Sequence, residues 1–233
     1  MKIIAGNWKM NGSRSALAEM QGALDGIKTE NRVILCVPFT MISGNSGPAA
    51  IGAQDVSMHS HGAFTGEVSA EMLRDAGAKY VIVGHSERRM YHGETNEIVR
   101  NKAEMALSAG ITPIICVGET MKERDAGKTL EIIESGVRES VPSDGGDVIF
   151  AYEPRWAIGA GVTPTDDDIA AAHTLIAETL EKMGRGGTPI LYGASVKGAN
   201  AAQIMSIPHV DGVLVGGASL KSDDFIPIIM ATK

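Results

Sequence analysis

The sequence predicts an α/β protein in which eight parallel strands, each followed by a helix, close into a (βα)8 barrel. Three observations lead there. Short uncharged apolar runs recur about every 30 residues along a chain of 233, roughly the length that one strand and its crossover helix need. The runs do not alternate apolar with polar residues, which is the pattern of parallel strands buried on both faces. Many of them end on glycine, as in IIAG, VIVG, IICVG, ILYG and GVLVG. The alternative, an open doubly wound sheet, often opens with G-x-G-x-x-G when it binds a dinucleotide, and no early strand-to-helix turn has that pattern. No linker or shift in composition divides the chain, so residues 1–233 read as one domain.

The strands are expected to begin near Ile3, Val33, Ile51, Val81, Thr112, Val148, Ile190 and Gly212. Between them, three segments show helical spacing of apolar residues. Leu17, Met20, Leu24 and Ile27 make the first face, Leu130, Ile133 and Val137 the second. The third is Ile169, His173, Ile176, Leu180 and Met183. Thr165 and Asp168 resemble a capping box at its start, Pro164 discourages helix before it, and glycines between 184 and 187 end it. The stretch Thr40–Ala50 is rich in Gly, Ser and Pro and has room only for a short helix, and the segment Val196–Met205 is also short.

Composition excludes several function classes. With 28 acidic and 21 basic residues the net charge is −7, which argues against a general nucleic-acid binder. The run after Lys2 is broken by Asn7 and Lys9, so no secretory signal is expected. The uncharged stretch Val33–Gln54 is interrupted by Pro38, Asn45 and Pro48 and does not read as a membrane span. The protein is expected in the cytoplasm, with no membrane partner. Cys36 and Cys116 each lie in an apolar run and are expected to be reduced core thiols.

In a barrel of this kind the strand ends feed a site at the C-terminal mouth. Reading outward from the runs gives Asn7 and Lys9, then His85, Ser86, Glu87 and Arg88, then Cys116, Gly118 and Glu119. The later strands add Glu153, then Tyr192, Gly193 and Ser195, then Gly216 and Gly217. Singly, Lys9 reads as a rim charge, His85 as a core histidine, and Glu87 and Glu153 as ion-pair partners. Together, one ammonium, one imidazole and two carboxylates at strand ends of one fold point to acid–base chemistry. His59 and His61 lack a third ligand at useful spacing, so no metal is expected. His92, His173 and His209 are assigned no catalytic role. Gly216-Gly217, just before a helix start at Ala218-Ser219, offers backbone N–H groups to a phosphate, and Ser195 offers a hydroxyl. Gly159-Ala160-Gly161, between Trp156 and Pro164, reads as part of a mobile lid that adds an N–H to the same phosphate.

Eight segments then carry a family likeness: AGNWKMNG (5–12), GAFTGE (62–67), VIVGHSERR (81–89), ICVGE (115–119), AYEP (151–154), WAIGAG (156–161), YGASV (192–196) and VGGASL (215–220). In order and in combination they resemble the triosephosphate isomerases, a family that is itself a standard example of paired acid–base assignments. The resemblance implies a TIM barrel that interconverts dihydroxyacetone phosphate and D-glyceraldehyde 3-phosphate through an enediolate, without metal or organic cofactor. It places the base on Glu153 and the neutral electrophile on His85. Lys9 and Asn7 assist, and Glu87 supports the lysine and the histidine. Phosphate contacts map to Gly159, Ser195, Gly216 and Gly217, and a lid to about 154–162. Desolvation under that lid is expected to raise the basicity of Glu153. The resemblance also implies a homodimer, with Thr65 entering the partner's site and Glu67 meeting Arg88 across the interface.

Two positions depart from the family pattern. Arg155 stands where a small aliphatic residue is usual, and Ala194 replaces the second glycine of YGGS. They leave an isomerase for a four-carbon ketose phosphate as the alternative. A Schiff-base aldolase using Lys9 and a non-enzymatic dimeric scaffold are weaker readings, because each leaves the remaining strand-end groups without a purpose.

Overall fold

Successive side chains of a strand point to opposite faces, so a run that is apolar throughout has to be buried on both. The structure, a computed structural model that describes residues 1–143, 145–158 and 164–232, meets that demand by closure. Strands β1 (Ile3–Asn7), β2 (Arg32–Cys36), β3 (Ala50–Ala53), β4 (Tyr80–Val83), β5 (Thr112–Val117), β6 (Ile149–Tyr152), β7 (Ile190–Tyr192) and β8 (Gly212–Val215) pair in parallel in chain order. β8 returns to β1, with Ile3 opposite Gly212. Each strand begins within one residue of its expected start.

Alternation sorts the strand residues into two layers. Ile3, Ala5, Ile34, Cys36, Ile82, Ile114, Cys116, Ile149, Ala151, Leu191 and Leu214 fill the barrel interior. Their neighbours, among them Ile4, Leu35, Val83, Ile115, Phe150 and Val213, pack outward against the helices. Both cysteines are buried and unpaired. Burial pushes the Cys36 thiol up to about 12 and the Cys116 thiol well above its ordinary value, so both behave as apolar filling.

The outer layer is α1 (Arg14–Leu24), α2 (Ala70–Asp75), α3 (Ser86–His92), α4 (Asn96–Ser108), α5 (Met121–Asp125), α6 (Thr129–Ser140), α7 (Asp166–Lys182), α8 (Gly198–Ser206) and α9 (Ser222–Ile229). α1 buries Leu17, Met20 and Leu24, and Ile27 packs on the core just past its end. α6 buries Ile133 and Val137 but leaves Leu130 51% exposed in its first turn. α7 starts at the expected capping box: the Thr165 side chain accepts from Asp168 N–H at 3.1 Å, and Asp168 accepts from Thr165 N–H at 3.0 Å. The stretch from Thr40 to Ala50 holds only the end of a 3-10 turn, Phe39–Met41. Among the described residues no helix is long and apolar enough to cross a membrane.

His173 of α7 is fully buried between Tyr152 and Tyr192. Its Nδ1–H donates to the carbonyl of His209 at 3.0 Å, and its Nε2 has no partner. Burial lowers its pKa from 6.5 to about 4. The folded-state value lies below the unfolded one, so the unfolded chain takes up the proton first. Stability is therefore full above pH 6.5 and is lost as pH falls toward 4. Denaturant unfolding of the parent and of His173→Gln at pH 7 and pH 4 is expected to show a larger acid loss in the parent, by up to about 3 kcal/mol. Equal losses would clear His173 of that role.

Candidate active site

The interior rows continue to the strand ends and just beyond them. Two positions beyond Ala5 is Asn7, beyond Ile82 is Gly84, beyond Cys116 is Gly118, beyond Ala151 is Glu153, beyond Leu191 is Gly193 and beyond Leu214 is Gly216. The two-residue period of the strands thus carries two polar side chains and four glycines to the C-terminal mouth. A cavity of about 280 Å³ opens there, lined by Asn7, Lys9, His85, Glu153, Ser195, Gly216 and Gly217, among others. Two of the glycines make room for Glu153. A Cβ on Gly118 would stand 1.8 Å from the Glu153 carbonyl oxygen, and one on Gly193 would stand 3.0 Å from Glu153 Cγ.

His85 is placed by the start of α3. Its Nδ1 accepts the Glu87 backbone N–H at 3.2 Å. Its Nε2 lies 3.0 Å from Glu153 Oε1, and Glu153 Oε2 accepts the Ser86 backbone N–H at 2.8 Å. Glu153 is 2% exposed, so both carboxylate oxygens are held in a buried position. Lys9 has φ 53, a left-handed conformation that costs a non-glycine residue about 1–2 kcal/mol. Asn7 Oδ1 holds it there by accepting the Lys9 N–H at 3.0 Å, and Lys9 Nζ donates to Glu87 Oε1 at 2.6 Å.

These contacts set the protonation states. Burial pushes the Glu153 carboxyl up, but His85, through its charge when protonated and through its hydrogen bond, Ser86 N–H and Lys9 pull it down, and the balance falls below the ordinary carboxylate value. The expected rise from desolvation is therefore reversed while the carboxylate rests on the ring. For His85, burial pushes the pKa down and Glu153 and then Glu87 raise it, with Lys9 opposing, for a balance above the ordinary value. Hydrogen bonding points the other way, since a proton on Nδ1 would face the Glu87 N–H. The backbone donor is fixed by the helix start, whereas the pull of Glu153 lasts only while that side chain stays in place. We read the ring as neutral and protonated at Nε2.

Ser195, Gly216 and Gly217 share the cavity with this group. Space beside Gly217 is open, and a Cβ on Gly216 would come 3.7 Å from Lys9 Cε. Gly159 lies outside the described residues, as do positions 160–162 of the expected lid. Ala194 lines the same cavity. Arg155 lines a different one, together with Arg89. Thr65 and Glu67 are exposed in the connection from β3 to α2. Arg88 is engaged within its own chain, with Asp55 at 2.8 Å and Glu94 at 2.6 Å. Among the described residues no cluster of three or more His, Cys, Asp or Glu side chains could hold a metal.

Two groups had no role in the sequence reading. Glu119 is fully buried and accepts from Trp156 Nε1 at 2.8 Å and from the Tyr152 hydroxyl at 3.3 Å, which ties down the segment after Glu153. Its place at the end of the fifth run was visible, but its partners are more than 30 residues away. The Ser86 N–H is a backbone donor and has no side-chain signature.

Fold and cavity together define a (βα)8-barrel enzyme whose strand ends gather a carboxylate, an imidazole and an ammonium beside a glycine-lined pocket. The chain belongs to the triosephosphate isomerase family, whose family model matches residues 2–232. It is 50% identical over 240 residues to a triosephosphate isomerase of Ruegeria sp. strain TM1040, covering 99% of this chain and 97% of that protein. Over 242 residues it is 48% identical to one from Rhodopseudomonas palustris strain BisA53, covering 97% and 95%. The crystal structure of triosephosphate isomerase from Bartonella henselae superposes with a TM-score of 0.90 at 39% identity, covering 99% of this chain and 98% of that one.

The contact between ring and carboxylate can be titrated. Replacing the ring, His85→Ala, removes the largest group holding the Glu153 carboxyl low. Carbon-detected NMR of the labelled carboxyl is expected to show its pKa moving upward in the variant. An unmoved titration would mean that His85 does not set the state of Glu153.

Proposed function

We propose that this protein interconverts dihydroxyacetone phosphate and D-glyceraldehyde 3-phosphate by moving a proton between adjacent carbons through an enediolate. One observation carries the reading: the Glu153 carboxylate, 3.0 Å from His85 Nε2, shares a cavity with Lys9, Ser195, Gly216 and Gly217. In the reaction Glu153 turns from the ring to the substrate and takes a proton from the carbon next to the carbonyl. Leaving the ring and the Ser86 N–H removes what holds its pKa down, so burial then makes it a stronger base. The same movement frees the Nε2–H of neutral His85 to donate to the oxygen on which negative charge develops. Lys9, steadied by Glu87 and by the Asn7 side chain, supplies positive potential to that oxygen.

The phosphate would rest on backbone N–H groups at Gly216 and Gly217 and on the Ser195 hydroxyl, with Gly159 completing the cradle. Closure of the segment 154–162 would exclude water, which protects an enediolate that can otherwise lose its phosphate. The Ala194 methyl narrows the cavity and Arg155 lies outside it, which favours a three-carbon over a four-carbon substrate. This path calls for no cofactor.

We also infer a cytoplasmic homodimer, in which Thr65 of each subunit reaches the other's site and Glu67 approaches Arg88 across the interface. Support comes from the exposed Met10, Phe39 and Tyr91, which border a second cavity of about 400 Å³ shared with Lys9 and His85.

Steady-state isomerisation of glyceraldehyde 3-phosphate by the purified protein tests the reaction. Efficient turnover is expected, with a lower kcat/KM on a four-carbon ketose phosphate; the opposite preference would sink the substrate assignment. Glu153→Asp is expected to lower kcat on the order of 10²-fold or more, with KM changed much less. Equal rates in parent and variant would remove Glu153 as the base.

A further inference from the structure

Arg155 follows Glu153 by two residues, yet its side chain lines a separate cavity of about 330 Å³ that shares no residue with the substrate pocket. Arg89, Asn96, Glu123 and Glu139 stand among its walls, so the space lies between α3, α4, α5 and α6. Arg155 Nε is buried without a hydrogen-bond partner. Among the described residues no carboxylate lies within ion-pair distance of Arg155 or Arg89. A buried charged donor without an acceptor is unfavourable.

Arg89 cannot relieve Arg155. Its own donors go to the Gly84 carbonyl at 2.8 Å, Asn96 Oδ1 at 2.7 Å and the Cys116 carbonyl at 3.0 Å. Burial lowers its pKa, Cys116 pulls the other way, and the positive charge of Arg155 lowers it again. The two guanidinium groups therefore feel each other. One oxygen of each wall carboxylate is already engaged by neutral donors. Glu139 Oε2 accepts from Asn96 Nδ2 at 2.8 Å, and Glu123 Oε2 accepts from the Thr120 N–H at 2.7 Å and hydroxyl at 2.8 Å.

We propose that this cavity is a second anion site, in which Arg155 binds a small oxyanion, a carboxylate or a phosphate. An anion there would screen two like charges, and a guanidinium presents a planar fork suited to oxyanions. The volume has room for on the order of ten waters, enough for such an anion with part of its hydration. The site does not rest on the catalytic reading. It is nevertheless coupled to that segment of chain, because the Arg155 N–H donates to the Glu119 carbonyl at 3.0 Å and Trp156 donates to the Glu119 side chain at 2.8 Å.

The test uses the full chain and two probes, inorganic phosphate and malonate, with the Arg155 Nε–H resonance as the readout. Crystals soaked in selenate give an anomalous map of both pockets. A saturable shift of Arg155 Nε with either anion, and an anomalous peak within hydrogen-bond reach of it, are expected. The probe that shifts it more tightly identifies phosphate or carboxylate as the source. Arg155→Gln is expected to weaken this step roughly tenfold or more. An unmoved Arg155 resonance with no peak overturns the proposal. So does a peak in the soaked crystal without any shift in solution, which marks an adventitious ion only. A peak beside Ser195 alone sinks this site and leaves the substrate pocket standing; a peak beside Arg155 alone does the reverse. If the variant does not fold, the parent titration decides.

Discussion

The barrel is sealed between its first and last strands, and the site depends on that seal. Gly212 of β8 lies so close to β1 that a Cβ would stand 1.9 Å from the Ile3 carbonyl oxygen. Only glycine permits the approach, and with it the sheet has no free edge. The seal joins the two ends of the chain. Lys9 follows β1 and Gly216 follows β8, and the positions come close enough for a Cβ on one to touch the side chain of the other. Neither half of the chain holds the pocket alone.

Within that frame carboxylates alternate with nitrogen groups along one line. Glu153 meets His85 at 3.0 Å, His85 lies 3.6 Å from Glu87, and Glu87 meets Lys9 at 2.6 Å. A buried carboxylate is tolerated because each neighbour compensates it. The compensation is local and reversible, since Glu153 is held by a ring and an amide rather than by a permanent cation. A second buried cluster steadies the line from behind. Lys102, 6% exposed, binds Asp55 at 2.7 Å and Glu94 at 2.5 Å, and both carboxylates also hold Arg88, the neighbour of Glu87.

Much of this was legible in the sequence because burial on both faces leaves a plain mark. Strand starts could be read from runs such as VIVG, and strand ends pointed to Asn7, His85 and Glu153. α7 was legible through its cap and its apolar face. α4 was harder, because its core-facing positions include Lys102, whose burial depends on acids from two other segments. Leu130 has helical spacing but is exposed in the first turn of α6, and spacing does not encode which turn of a helix is covered. The Ser86 N–H and the link from Glu119 to Trp156 were not legible either. One is main chain, and the other joins residues that only the closed barrel brings together. The resting protonation of Glu153 was not legible for a related reason: burial is visible in a sequence, but the neighbours that outweigh it in this contact are not.

The glycines that follow β7 and β8 have a consequence for how the pocket can change. At positions 193 and 216 the lining is bare main chain, fixed by the strand ends beneath it. Any replacement there adds atoms, and at Gly193 a Cβ would already stand 3.0 Å from Glu153 Cγ. Substitution at these glycines can shrink the chamber but cannot enlarge it. A descendant with a roomier chamber would have to gain the space from the surrounding connections, where length and direction are free to vary.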